Sequence, residues 1–174
     1  AVAVIKTKIV LDADVIIHFA KGGLLSLLPR IFPEYEYIVL DIVYKEVKQP
    51  ILNQLNNQIK FLQNIREVTF GDTIEQKREF ARLTDVMGLG RGESACMVFC
   101  RYNHDVIGSS NLRDIVGYCE KHEIVYLTTI DFLFYGIQRK VITKDQANEF
   151  ITTVNSMGSR VPQVDFDTYI CSKI

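Results

Sequence analysis

The stretch KIVLDADVIIHF, residues 8–19, decides how the rest of the chain is read. Ile9, Val10 and Leu11 are apolar on consecutive positions, as expected of a strand covered on both faces. The run stops at Asp12 and Asp14, and an apolar segment resumes at Val15. Burying unpaired charge is expensive. An interior strand that ends on two carboxylates therefore needs either a loop that lifts them into water or a positive partner between them.

Three further runs of the same kind follow, at 37–40, 105–108 and 124–127. Between the four runs lie helical patterns at about 15–28, 42–66, 74–87, 91–102, 111–121 and 143–156. Asp41 and Asp72 stand just before two of them, Thr143 and Gln146 have capping-box spacing, and Gly158 is a stop signal. Alternation of strand and helix predicts an α/β class with a mainly parallel sheet of four to five strands. There is no repeat, low-complexity tract or linker, so residues 1–174 read as one domain. The segment 158–174 reads as a C-terminal arm or edge strand.

A chain of 174 residues can bury a core without disulfides or metal. Apolar residues make up 48% and charged residues 24%, which excludes a disordered chain. The net charge of −1 argues against a grip on nucleic acid through bulk charge, though not against a local basic rim. Cys96, Cys100, Cys119 and Cys171 form no C-x-x-C pair and read as small buried hydrophobes in a reducing compartment; a zinc site is the remote alternative. The opening AVAVI run is too short for a signal-peptide core, and no apolar stretch approaches the ~20 residues of a membrane span. The expectation is a cytoplasmic protein with no membrane partner.

The acids recur where strands meet helices. Asp12 and Asp14 follow the first strand, Asp41 ends the second, and Glu46 lies about a turn later. Glu93 opens the helix in GRGESACMVFC, Asp114 follows the third strand, and Asp131 follows the fourth. Ligands of an open parallel sheet sit beyond the carboxyl ends of the strands, so these acids are expected at one edge. Glu93, Met97 and Cys100 share a helical face, which turns the Glu93 carboxylate inward. Gly90 and Gly92 before it allow close backbone approach. Taken singly, each acid has a plain explanation. Asp12 is a helix N-cap, Glu93 favours the helix dipole or pairs with Arg91, and Asp114 is a solvated charge beside Arg113. Taken together, four carboxylates at one edge repel unless a cation holds them, and hard divalent ions prefer oxygen ligands.

At these residues the chain resembles the PIN domain family, in its VapC-type toxin-like form. IVLDADVIIHFAKGG resembles the family's opening motif, DIVYKEVKQP its second, and GRGESACMVFC its third. DVIGSSNLRD stands in the place of the fourth, but Ser109, Ser110 and Asn111 occupy the position where an Asp is usual. The ordered series covers about residues 8–135. The resemblance implies an α/β/α sandwich and Mg²⁺- or Mn²⁺-dependent endoribonuclease activity with one or two ions. It also implies an RNA substrate, a homodimer and an antitoxin-like partner, as in a toxin–antitoxin pair. Asp12, Glu46 and Glu93 match the catalytic and metal-binding acids, and Asp114 is the candidate replacement for the missing one. The candidate metal ligands are Asp12, Glu93, Asp114 and Asp131. Asp14, Ser110, Asn111, Arg91 and Arg113 are candidates to orient ligands or contact substrate, and Lys21, Lys45 and Lys48 are further phosphate-binding candidates.

Two other readings stand beside this one. In the first, loss of the fourth acid leaves a non-catalytic RNA- or partner-binding module. In the second, LDADVI opens a haloacid-dehalogenase-like phosphatase with Asp12 as nucleophile, which calls for a later lysine and leaves Glu93 unexplained. His18, His104 and His122 have no ligand spacing, and His18 is expected only to pack.

Overall fold

The structure is a computed structural model that describes residues 5–174. The reading of the opening AVAVI run falls on residues 1–4 and Ile5, so it lies almost wholly outside the described residues. Five parallel strands form one sheet in the order β3-β2-β1-β4-β5. They are β1 (Lys8–Leu11), β2 (Glu36–Leu40), β3 (Arg66–Val68), β4 (Val106–Gly108) and β5 (Tyr126–Leu127). The chain builds outward from β1 to β3, then returns to lay β4 on the other side of β1. Neighbouring strands that depart in opposite directions leave a crevice at their carboxyl ends. Asp12 sits at that point, its backbone N–H bonded to the Gly108 carbonyl at 2.8 Å.

Among the described residues nine α-helices flank the sheet in a three-layer α/β/α arrangement. They are α1 (Ala13–Lys21), α2 (Leu28–Ile31), α3 (Asp41–Glu46), α4 (Ile51–Asn56), α5 (Ile74–Ala81), α6 (Arg91–Asn103), α7 (Leu112–Lys121), α8 (Thr129–Gln138) and α9 (Lys144–Ser156). Wide π-helical turns extend α4 through Phe61 and α5 through Val86. No helix among the described residues is long and apolar enough to cross a membrane.

Several elements differ from the sequence expectation. The pattern over 15–28 breaks after Lys21, where Gly23 takes a φ of +74° that a side chain would resist. The pattern over 42–66 divides into α3 and α4 because Pro50 biases Gln49 away from helical backbone and cannot supply an N–H. The end of that span, Arg66–Val68, is an edge strand on β2. It carries two charges in three residues, so it has no apolar signature. The 124–127 strand contracts to Tyr126–Leu127, and helix α8 follows at once. A capping box between Thr128 and Asp131 starts α8. The expected box at Thr143 and Gln146 starts α9. The terminal segment is an arm, with no strand after Ser156.

The core centres on β1, whose Ile9, Val10 and Leu11 are fully buried. Phe19 of α1 meets Phe150 of α9 at 4.9 Å and Phe132 of α8 at 6.1 Å between ring centroids. Each such ring contributes roughly 1.5–3 kcal/mol by leaving water, so the start of α1, with Asp12 and Asp14, is anchored. All four cysteines are free thiols; Cys96, Cys100 and Cys119 are buried and Cys171 half-buried.

Candidate functional site

Asp12 is the N-cap of α1, and its Oδ1 accepts the Ala13 N–H at 2.8 Å. The cap does not exhaust the group. Oδ2 accepts the Ser109 hydroxyl at 3.2 Å, and the residue is only 6% exposed. Burial, reinforced by the neighbouring Asp14 and Glu93 carboxylates, pushes its pKa up to about 8 despite the Ala13 and Ser109 hydrogen bonds. Asp14 lies two residues on. Its Oδ1 accepts from Val15 N–H and its Oδ2 from Ser110 N–H, both at 2.8 Å. Burial outweighs those bonds and raises its pKa as well.

Glu93 enters from the first turn of α6. Its Oε1 accepts the Gly90 N–H at 3.0 Å, and its Oε2 accepts the Asn111 carboxamide at 2.6 Å. Burial raises its pKa. The Gly90 and Asn111 bonds oppose the shift, and the nearby Asp114 adds to it. The same Asn111 Nδ2 donates to Asp114 Oδ2 at 2.9 Å. Asp114, in the first turn of α7, therefore meets Glu93 across a neutral amide.

Glu46 comes from α3. Its Oε1 accepts the Gly92 N–H at 3.1 Å. A Cβ on Gly92 would lie 2.5 Å from Glu46 Oε2, so the glycine makes room for this contact. The four segments meet around an open cleft of about 510 Å³, lined by Asp12, Asp14, Glu46, Glu93, Ser110 and Asn111. His18 and Arg160 complete its rim.

Asp131 is not in this group. It caps α8, accepts from Lys173 Nζ at 2.8 Å, and is bonded to the Tyr169 hydroxyl. Burial alone would raise its pKa, but those partners outweigh burial and hold it below the usual carboxylate range. Its bonding capacity is spent on the C-terminal arm, so the expectation that Asp131 is a metal ligand is corrected. A short β5 followed directly by a capped helix turns the side chain toward its own N–H groups.

The expected cations are dispersed as well. Arg91 is exposed, lies over the Phe80 ring at 5.1 Å, and forms no ion pair with Glu93. Arg113 is exposed on α7, Lys45 is exposed in the last turn of α3, and Lys48 is exposed beyond it. Lys21 is tied to Met157 O and Ser159 Oγ. Asp41 holds the Phe70 N–H at 3.0 Å.

Three groups that the sequence did not mark belong to the site. Ser109 is fully buried against Asp12. Arg160 reaches the cleft from beyond α9, a distance in sequence that no local pattern bridges. His18 lines the rim, its Nδ1 2.7 Å from the Thr129 hydroxyl, and burial with the nearby Lys21 holds its pKa down at about 4. Its recurrence four residues after Asp14, one turn along the same helix face, was the available signal.

The donor chemistry fits a hard divalent cation. Every acid here offers oxygen, and burial raises the pKa of three of them, Asp12, Asp14 and Glu93. The acids are not already drawn together as a ligand cage: among the described residues no three His, Cys, Asp or Glu side chains are arranged to hold one ion. No protein-family model matches the chain, and no curated protein or solved structure matches it either.

Proposed function

We propose that the chain is a PIN-like, divalent-metal-dependent endoribonuclease that hydrolyses RNA phosphodiester bonds in the cytoplasm. One observation carries the reading. Asp12, Glu46 and Glu93 come from three separate segments to one cleft beyond the strand ends, and Asp114, from a fourth, stands behind Glu93 across the Asn111 amide, so that carboxylates crowd one another. Such crowding costs stability unless a cation offsets it, and acids kept together at that cost mark a candidate functional site. Mg²⁺ or Mn²⁺, bound there, would supply the positive charge that activates a water and offsets charge building on the phosphate.

In this reading Asp12, Glu93 and Asp114 would hold the ion, with Glu46 completing the acidic wall. Asp14, by fixing the Ser110 N–H, sets the turn that carries Ser109 and Asn111. Ser109 orients the Asp12 carboxyl. Gly90 and Gly92 direct Glu93 and Glu46 through their backbone N–H groups. Among the described residues Arg160 is the one arginine or lysine lining the cleft, and it would meet substrate phosphate. The reading includes a homodimer and an antitoxin-like protein over the acidic edge, both resting on family analogy.

A specific observation favours a second reading. Asn111 already bridges Glu93 and Asp114, doing without metal what a cation would otherwise do. On that view the fold is an RNA- or partner-binding module. The phosphatase alternative calls for a lysine beside Asp12, and among the described residues the cleft lining offers Arg160 and no lysine.

Cleavage of a mixed single-stranded RNA pool in Mn²⁺, with EDTA and Asp12→Asn as controls, tests the proposal. Loss of cleavage in both controls supports it. Folded wild type that cleaves nothing returns the binding-module reading, and cleavage that survives Asp12→Asn refutes the assignment of Asp12.

A further inference from the structure

A second cavity, of about 380 Å³, adjoins the acidic cleft and shares His18, Ser110 and Arg160 with it. It lies between the N-terminus of α8 and the C-terminal arm. Its volume falls in the range of small-molecule sites, roughly 300–1,000 Å³. Its walls are apolar, with Leu112, Ile130, Val161, Pro162 and Val164 among them, and Tyr126 supplies an aromatic surface. Polar groups interrupt the apolar walls, Thr128 and Thr129 at the start of α8 and the shared His18 and Ser110 among them. Asp131, which accepts from both Tyr169 and Lys173, lines it too, and at the shared wall stands Arg160.

The cavity is built rather than left over. Asn155 clamps the arm at Val161, accepting the backbone N–H at 2.8 Å and donating to the carbonyl at 2.9 Å. Lys173 sits 3.9 Å from the centroid of the Tyr126 ring while bonded to Asp131, which fixes the far end of the arm. Ile174 N–H donates to the Tyr135 hydroxyl at 2.9 Å. Walls held in advance lose little freedom on binding. Arg160 is exposed and, among the described residues, forms no ion pair or hydrogen bond, so its guanidinium is available at the junction of the two cavities.

We propose that this cavity is a nucleobase slot, which receives the base of a nucleotide next to the reacting phosphodiester while Arg160 contacts the phosphate between slot and cleft. The inference rests on the reading of the neighbouring cleft as an RNA phosphodiester site, and it supplies what that cleft lacks. The acids repel a polyanion, so the grip on RNA must come from beside them. A ligand with flat apolar faces, polar edges and an attached phosphate matches apolar walls interrupted by polar groups and an adjoining arginine. Direct recognition of one base in a single strand would give the enzyme a preference at that nucleotide.

The test measures binding without chemistry. Anisotropy of a fluorescein-labelled hexaribonucleotide in EDTA is compared with the same ribose-phosphate chain lacking bases. Wild type should bind the base-bearing strand on the order of tenfold more tightly. Val164→Trp fills the slot from a half-buried wall and should bring that ratio close to one. Arg160→Ala, at an exposed position, should weaken both strands and leave the ratio intact. Should Val164→Trp fail to fold by circular dichroism, Leu112→Ala, at a 44% exposed wall position, should lower the ratio instead. A ratio near one in wild type, or one unchanged in the folded slot variant, overturns the slot. Loss of cleavage in Asp12→Asn is scored separately. A slot that binds bases beside a cleft that cleaves nothing would uphold this inference while refuting the nuclease.

Discussion

Replacing Asp12 by Asn should stabilise the metal-free protein at alkaline pH, although it removes a helix cap that usually stabilises. The folded pKa of Asp12 is about 8 against an ordinary 3.8. The folded state therefore retains a proton that the unfolded chain gives up, and stability is lost as pH rises from about 4 to about 8. At 1.36 kcal/mol per pKa unit, the loss between pH 5 and pH 8 is at most on the order of 4 kcal/mol. Water entry and side-chain movement reduce it, which leaves roughly 1–3 kcal/mol. Asparagine keeps the acceptor for the Ala13 N–H and carries no charge. Urea unfolding in EDTA at pH 5 and pH 8 measures the difference. The advantage of the variant over wild type should grow by about 1–3 kcal/mol between pH 5 and pH 8, worth roughly 2–12 °C in Tm at this chain length. Mn²⁺ should stabilise wild type and leave the variant nearly unmoved. A variant less stable than wild type at pH 8, or a deficit equal at both pH values, would show that Asp12 is an ordinary exposed cap and refute the reasoning.

Other outcomes follow from the same geometry. Gly92→Ala puts a Cβ 2.5 Å from Glu46 Oε2 and should displace that carboxylate, lowering RNA cleavage at least tenfold with about 1 kcal/mol lost by urea titration. Asn111→Asp exchanges the bridging amide for a third carboxylate beside Glu93 and Asp114. It should lower stability in EDTA by about 1–3 kcal/mol and tighten Mn²⁺ binding by calorimetry about tenfold; unchanged Mn²⁺ affinity would show that no ion sits there. Lys173→Ala strips a partner from Asp131, which is only 1% exposed, and should cost about 1–3 kcal/mol at pH 7. The folded pKa of Asp131 is lowered, so that stabilisation is present above the ordinary carboxylate range and lost as pH falls through it. An unfolding curve at pH 3 should show wild type and Lys173→Ala converging.

The sequence by itself determined the α/β class, the parallel sheet and the strand ends where acids gather. Those follow from period and position: a consecutive apolar run such as Ile9–Leu11 can be satisfied only inside a two-faced sheet, and its carboxyl end must then face the crevice. The inward turn of Glu93 was equally legible, because Met97 and Cys100 fix the face of α6. Local pattern could not find β3, whose residues are charged and exposed at the edge, nor α8, whose capping box begins one residue past β5. Tertiary structure alone decided between Asp114 and Asp131. Both stand in the first turn of a helix after a strand, and chain position cannot separate them. The choice was made by what lies across from each. Asn111 ties Asp114 to Glu93 behind the cleft wall, whereas Lys173 and Tyr169, some forty residues away in sequence, claim Asp131 for the arm. Arg160 and Ser109 join the site for the same reason: side-chain partners distant in sequence are chosen by packing, and packing is settled only when the whole chain has folded.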